Sequence, residues 1–373
     1  MAARVNVKNA SDVSTSWGSK PPQRCENSPD RSQQRMPKNW TIKRIEHGVH
    51  RVEFGGANYP QLWAFLSSDW HWDNPKARLD LIERDLRQAK AVGGCVISAG
   101  DFFCAMQGKY DKRSSKDDLR PEHAGGSYLD RLVDTAAEFL TPYADVMGLM
   151  TLGNHETSIY NRHETCLLTR LVERLRLLGS DCKVGGYNGW VQFMGRSKSN
   201  TSSCQWKLYY HHGSGGDSPV TQGLLGMNRV SQYVDADGIL SGHIHARNLS
   251  TVCRERLSPN GQRRVGETAL VRTSSYKDEY SPLAGFHVEK GRGPRPTMRP
   301  GYWLSLKLDR TKTFLETTFH DVPTGVPDGP DSDSDRDSEP RPVRSRSGAG
   351  KRRPAASGSR STRKKSRGTA AGR

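Results

Sequence analysis

The sequence has few of the features that mark secreted or membrane-spanning proteins. Its seven cysteines are scattered through 373 residues, odd in number and without CxxC spacing, so a disulfide framework is not expected. There is no run of about 18 apolar residues that could span a membrane. The polar stretch 1–38 also lacks the apolar segment of a secretory signal. These absences predict a cytoplasmic protein in a reducing compartment, without a membrane partner.

Apolar residues are also scarce, at 34%, with a mean hydropathy of −0.77. The two ends account for the shortfall, and they hold most of the net charge of +17: +4 in residues 1–38, +6 in 39–327 and +7 in 328–373. We expect a disordered segment over 1–38, one folded domain over 39–322, and a disordered tail over 323–373 that is acidic and then basic. The basic excess suits a nucleic-acid partner, and solvated tails are the alternative.

The middle of the chain alternates between strand and helix patterns. Alternating residues over 40–54 predict a hairpin, and helical spacing predicts helices over 76–92, 127–140 and 165–178. Further strands are predicted at 61–67, 95–99, 146–152, 190–194, 205–210, 238–241, 302–308 and 313–319. This order indicates an α/β fold with two mixed sheets and flanking helices.

Five short clusters rich in acids and histidines follow in order, most of them directly after an apolar run. They are Asp69-Trp70-His71, Gly100-Asp101, Gly153-Asn154-His155-Glu156, His211-His212-Gly213 and Gly242-His243-Ile244-His245. Strand ends of this kind gather their side chains at one edge of a sheet. Oxygen donors mixed with imidazoles, including one shared carboxylate, suit a pair of divalent transition metals. The pattern therefore indicates a hydrolase.

These clusters resemble the pattern of the calcineurin-like metallophosphoesterase family, which runs D-x-H, G-D, G-N-H-D/E, H and G-H-x-H. The resemblance covers roughly residues 61–250 and implies a four-layer α/β/β/α sandwich. It further implies a first metal held by Asp69, His71 and His245, and a second held by Asn154, His243 and either His211 or His212, with Asp101 bridging both. Mn²⁺ is the metal we expect first, with Fe, Zn, Ni and Mg as alternatives.

The resemblance also implies a mechanism, in which a hydroxide between the two metals attacks phosphorus while His155 protonates the leaving oxygen. Glu156 would support the site, and Arg162 could clamp the phosphate, with a solvated loop as the alternative reading. Strand alternation sends one of His211 and His212 toward the metals and the other away. The glycine that follows favours His212.

The expected substrate is a phosphodiester of nucleic acid or a nucleotide, because of the basic charge. A phosphomonoesterase acting on a small molecule or a phosphoprotein is the alternative. Ser/Thr protein phosphatases have an Asp-Arg pair shortly after the G-D motif, and this chain has Phe102-Phe103-Cys104 after Asp101 and lacks that pair, which argues against a phosphoprotein substrate. A non-catalytic nucleic-acid-binding scaffold on the same fold is a second alternative. Residues 105–126 are predicted to be a long polar loop that acts as a lid or as a substrate-reading element. The chain would suit a bacterial or phage protein.

Overall fold

The computed structural model describes residues 36–57, 60–105, 119–198, 203–216, 223–257, 259–279, 298–311 and 314–324. These residues belong to a compact unit that spans Met1–Asp328. The segments 1–35 and 325–373, where disordered ends were predicted, lie outside the described residues, as does most of the loop predicted over 105–126.

The described residues form thirteen strands and five α-helices. The strands are β1 (Trp40–Glu46), β2 (Val49–Phe54), β3 (Gln61–Ser67), β4 (Cys95–Ser98), β5 (Met147–Thr151), β6 (Lys183–Gly185), β7 (Asn188–Arg196), β8 (Ser203–His211), β9 (Gly238–Ser241), β10 (Asn248–Leu257), β11 (Arg263–Arg272), β12 (Tyr302–Leu308) and β13 (Leu315–His320). The helices are α1 (Leu79–Ala91), α2 (Tyr128–Leu140), α3 (Asn154–His163), α4 (Leu167–Leu177) and α5 (Leu224–Tyr233). No described helix is long and apolar enough to cross a membrane.

Two mixed sheets organise these elements. The first has six strands in the order β13-β12-β3-β4-β5-β6, and β3 to β6 run parallel to one another. The second has seven strands in the order β1-β2-β7-β8-β9-β11-β10, in which β8, β9 and β11 are parallel. Parallel strands are buried on both faces, which explains the unbroken apolar sequences of β3, β4 and β9.

The apolar side chains define four layers. Leu304 and Ile97 of the six-stranded sheet pack with Phe193 of the seven-stranded sheet in the core between the sheets. On the outer face of the six-stranded sheet, helices α1, α2 and α4 bury their apolar sides in a second core. On the outer face of the seven-stranded sheet, Met227 of α5 packs with Ile239. The predicted α/β/β/α arrangement is confirmed.

Candidate metal centre

The predicted ligands lie at the carboxyl ends of strands from both sheets. Asp69 follows β3, Asp101 follows β4 and Asn154 follows β5, and these three strands are parallel neighbours in the six-stranded sheet. His212 follows β8 and His243 follows β9, which are parallel neighbours in the seven-stranded sheet. Because parallel strands end at the same edge, the two sheets present all of these side chains to one place.

The first group contains Asp69, His71 and His245, whose ligand atoms lie within 4.8 Å of one another. His245 Nε2 lies 3.3 Å from Asp69 Oδ1 and 3.3 Å from His71 Nε2. The other oxygen of Asp69 accepts hydrogen bonds from the hydroxyl of Ser68 and from the backbone N–H of His243 (2.9 Å). Asp69 is thus held with one oxygen facing the two imidazoles, and this is the trio that the sequence predicted for the first metal.

The second group contains Asp101, His212 and His243, again within 4.8 Å. His212 Nε2 lies 3.1 Å from Asp101 Oδ2 and 3.1 Å from Asn154 Oδ1, and the same amide oxygen lies 2.7 Å from His243 Nδ1. His212 Nε2 is also 3.9 Å from Asp69 Oδ1, so the two groups are adjacent. The set matches the residues predicted for the second metal. Bridging by Asp101 stays a prediction.

The choice left open between His211 and His212 is decided by geometry. His212 is fully buried in the second group, while His211 lies on the outer face of the seven-stranded sheet and lines a cavity there. Neighbouring residues of a strand point to opposite sides, so only one of the pair can reach the centre. The structure brings His212 to the site and leaves His211 outside it, so His211 is not a candidate ligand.

Hydrogen bonds behind two histidines fix their tautomers. His212 Nδ1 donates to the carbonyl of Ala99 (2.8 Å), and His245 Nδ1 donates to Glu279 (2.7 Å). In the neutral form of each ring the Nε2 atom then carries the lone pair, and it faces the acids. This is how proteins orient histidine ligands of metals. Sequence reasoning missed Glu279, because no motif or apolar run marks its segment.

Backbone strain is concentrated at this centre. Five non-glycine residues there have left-handed φ values: Asp69 (52°), His71 (44°), Asp101 (51°), His243 (68°) and His245 (60°). Only three other described non-glycine residues share this conformation. Each such residue costs roughly 1–3 kcal/mol and persists only where the surroundings impose it, as at active sites.

The carboxylate of Glu156 connects the loops around the centre. Glu156 accepts hydrogen bonds from the backbone N–H groups of Asp101 (3.1 Å), Phe103 (2.9 Å) and Gly153 (2.9 Å). Burial and the charge of Asp101 raise the pKa of Glu156 to about 8. Its position fits the supporting role predicted for it, since it ties the loop after β4 to the start of α3.

His155 stands beside Asp101. Its backbone N–H donates to Asp101 Oδ1 (2.9 Å), its Nδ1 donates to the carbonyl of Cys104 (2.6 Å), and its Nε2 lies 3.7 Å from Asp101 Oδ2. With Nδ1 committed to a carbonyl, Nε2 is the atom that can hand over or take up a proton. Burial raises the pKa of the Cys104 thiol to about 12, so this residue packs as a neutral thiol.

The charges of the centre compensate one another. Burial disfavours the ionised form of Asp69, but His212 and His245 outweigh it and lower the pKa of the carboxyl. Burial also disfavours the charged form of His212 and by itself would lower the pKa of that imidazole. The neighbouring Asp101 outweighs burial and raises the pKa of His212 to about 9. Acids and imidazoles this closely packed form the donor set that a divalent cation requires, and a cation would displace the extra proton of His212.

Arg162 lies exposed near the end of α3. Its predicted contact with substrate phosphate stays a prediction.

Comparisons with known proteins give little beyond this geometry. No protein-family model and no curated protein matches the chain. Two solved structures are similar to it at 14% identity. A predicted phosphoesterase from Streptococcus pneumoniae has a TM-score of 0.27 over 71% of this chain and 95% of its own. The GAP50 anchor in the inner membrane complex of Plasmodium has a TM-score of 0.32 over 69% and 84%. At these scores neither similarity carries a functional argument.

Proposed function

We propose that this protein is a metal-dependent phosphoesterase with a binuclear centre, and that its substrate is a phosphodiester of nucleic acid or a nucleotide. The observation that carries the proposal is the meeting of two adjacent ligand groups, drawn from both sheets, at one strained edge. Two divalent cations held there, with Mn²⁺ the first choice, would activate water and offset charge on the phosphate.

The chain's own residues supply the rest of the mechanism. Asp69, Asp101 and Asn154 provide the oxygen donors, and the imidazoles of His71, His212, His243 and His245 provide the nitrogen donors. His155 sits at the rim, 11% exposed in its side chain, with Nε2 available to protonate the leaving oxygen of the ester. Asp69, His212 and His245 are held by hydrogen bonds before substrate arrives, which lowers the reorganisation needed during reaction.

The diester preference rests on charge. The chain carries a net +17, which favours a polyanion such as nucleic acid over a small ester that carries few charges. A phosphomonoesterase is the second candidate. Measuring the turnover of phosphomonoesters beside that of phosphodiesters under the same conditions tests it.

Asp101→Asn tests the proposal directly. With Mn²⁺ supplied, wild type should hydrolyse an aryl phosphodiester. The variant should lose at least about 100-fold in turnover together with bound metal, because removing even a residue that only hydrogen-bonds to a metal ligand costs about 10–100-fold in metal affinity or activity. Metal content is measured by mass spectrometry. Asp134→Asn, an exposed carboxylate on α2, is the matched control. A protein that binds no cation and cleaves no phosphate ester would overturn the proposal and favour the scaffold alternative.

A further inference from the structure

A cavity of about 570 Å³ lies on the outer face of the seven-stranded sheet, between that sheet and α5. Ile239 and Ser241 of β9 line one side, and Met227 and Val230 of α5 line the other. This volume is within the range of pockets that hold small organic ligands, about 300–1,000 Å³.

The cavity adjoins the metal centre through two segments of chain. His211 lines the cavity, and the next residue, His212, belongs to the second ligand group. Ile244 also lines the cavity, and it lies between His243 and His245. The backbone of Gly213 closes the gap between these segments, since a Cβ there would lie 3.1 Å from Cβ of His243. Each of these two segments therefore lines the cavity and, at the next residue, contributes to the ligand groups of the metal centre.

The lining combines cationic and apolar groups. Arg229, Arg272 and His211 bring positive or ionisable nitrogen, and no carboxylate is among the described lining residues. Arg272 is buried and its Nε donates to the carbonyl of Ala246 (2.7 Å), which holds the side chain at the cavity wall. Met227 and Ile239 supply the apolar part of the lining. An organic anion with an apolar ring matches this chemistry.

We propose that the cavity binds the nucleotide unit next to the scissile phosphate, with its base against Met227 and Ile239 and its phosphate near Arg229. The inference rests on the proposed function, because it assigns a substrate class to the same site. It gives the preference for nucleotide esters a structural basis separate from the overall charge of the chain.

Gly226→Trp is the sharpest test. Gly226 lies on α5, lines the cavity, and has no heavy atom within 4 Å of where its Cβ would be, so a large side chain can fill the cavity without strain. Gly266→Trp on β11 is the matched control, since its Cβ position is equally open and it does not line the cavity. Arg229→Glu is a second variant that reverses one charge of the lining.

The measurement is calorimetric titration of the full chain with 5′-AMP, ribose 5-phosphate and inorganic phosphate. We expect wild type to bind AMP at least 10-fold more tightly than ribose 5-phosphate, which corresponds to about 1.4 kcal/mol. Gly226→Trp should remove most of this advantage, because its side chain takes the place of the base, and should leave phosphate binding within twofold. Arg229→Glu should weaken AMP and ribose 5-phosphate by similar factors, because both carry the phosphate placed near Arg229. Gly266→Trp should leave the binding of all three ligands within twofold of wild type. Equal binding of AMP and ribose 5-phosphate by wild type, or full AMP affinity in Gly226→Trp, would overturn the inference.

Turnover of methyl p-nitrophenyl phosphate, which has no nucleoside to occupy the cavity, separates the two proposals. If that ester is cleaved and AMP binds no better than ribose 5-phosphate, the cavity proposal alone fails. If neither that ester nor any other phosphate ester is cleaved, the proposed function fails, whatever the titration shows.

Discussion

Glu279 shows how a single residue far along the chain completes the centre. Its carboxylate accepts from His245 Nδ1 at 2.7 Å and also pairs with Lys277 (3.2 Å). Burial opposes ionisation of Glu279, but His245 and Lys277 outweigh it and lower the pKa of the carboxyl strongly. The charge that results orients the imidazole and makes it a better donor to a cation.

Glu279→Gln should weaken binding at the first metal position by about 10–100-fold, because the imidazole loses its charged partner. We expect one of two Mn²⁺ equivalents to be lost on dialysis while the fold, followed by circular dichroism, is kept. Glu267→Gln on the outer hairpin strand β11 is the control. Retention of both equivalents by Glu279→Gln would show that His245 is oriented without it.

His50 is a second residue whose environment sets a measurable property. It is 1% exposed, and neither ring nitrogen has a hydrogen-bond partner among the described residues. Burial, with the charges of Arg44 and Lys183, lowers its pKa to about 4. The folded protein therefore keeps this ring neutral at pH values where the unfolded chain protonates it.

His50→Leu should reduce the loss of stability in acid. The stabilisation from neutral His50 is complete above the unfolded pKa of about 6.5 and is lost as the pH falls toward 4. Between pH 7.5 and pH 4.5 we expect wild type to lose about 2 kcal/mol more unfolding free energy than the variant, measured by urea denaturation. His47→Leu, an exposed histidine of the same hairpin, should behave as wild type does. A parallel decline in wild type and His50→Leu would contradict this assignment.

At the scale of elements, the junction of β5 and α3 sets the geometry of the site. Gly153 lies between them with an extended backbone, and its Cα approaches the loop after β4 closely. A Cβ at this position would overlap the carboxylate and the backbone N–H of Asp101. Only a glycine allows Asn154 at the helix start and Asp101 to face the same point.

Gly153→Ala should therefore displace Asp101 and lower turnover of an aryl phosphodiester by about 100-fold or more, with loss of bound metal. The expected cost to the global fold is small, because the clash falls on a loop. Gly126→Ala, where a Cβ meets nothing within 4 Å, is the control for adding a methyl group. A fully active Gly153→Ala variant would mean that the loop after β4 is free to move.

Elements with unbroken apolar runs could be predicted from the sequence, and elements defined by tertiary pairing could not. The strand predicted over 61–67 is confirmed at Gln61–Ser67, whereas the helix predicted from residue 76 begins only at Leu79. The reason is that Ala77 forms a bridge with Lys277 and Arg78 donates its backbone N–H to the carbonyl of Tyr276, so these residues pair with a distant segment and not within the helix. Periodicity within one segment carries no information about such a distant partner.

Helix α3 and strands β10 and β11 are among the elements that were missed, for a related reason. Helix α3 buries only Glu156 and Ile159, so it lacks the apolar spacing of a core helix. Strands β10 and β11 form an outer hairpin whose sequences are largely polar and charged. At the site the order of the motifs was enough to predict which acids and histidines lie together, but Glu279 and the cavity beside His211 depend on packing that only the structure shows.

For the whole molecule, the distribution of charge predicts separate roles for the folded domain and the segment 328–373. Residues 328–373 carry +7 of the net +17, with twelve Lys and Arg and no acid after residue 340. Lys and Arg contacts to phosphates dominate affinity for nucleic acid and make it dependent on salt. The segment is therefore expected to hold DNA or RNA without taking part in catalysis.

A chain ending at Pro327 should keep its turnover of small esters and bind DNA more weakly, with a shallower dependence of affinity on salt. Anisotropy of labelled DNA at several salt concentrations measures both quantities. Replacing the tail with a neutral Gly/Ser segment of the same length controls for the missing residues. Unchanged DNA affinity in the shortened chain would place the nucleic-acid contacts on the folded domain.

The pairing of β3 with β12 has a consequence for biosynthesis. β3 carries the first ligands at its end, yet the strand that covers its free edge is Tyr302–Leu308, more than 230 residues later. While the ribosome is still making the intervening chain, that apolar edge has no neighbour and can attract other strands. A nascent chain of this protein thus needs protection from aggregation until its last hairpin emerges.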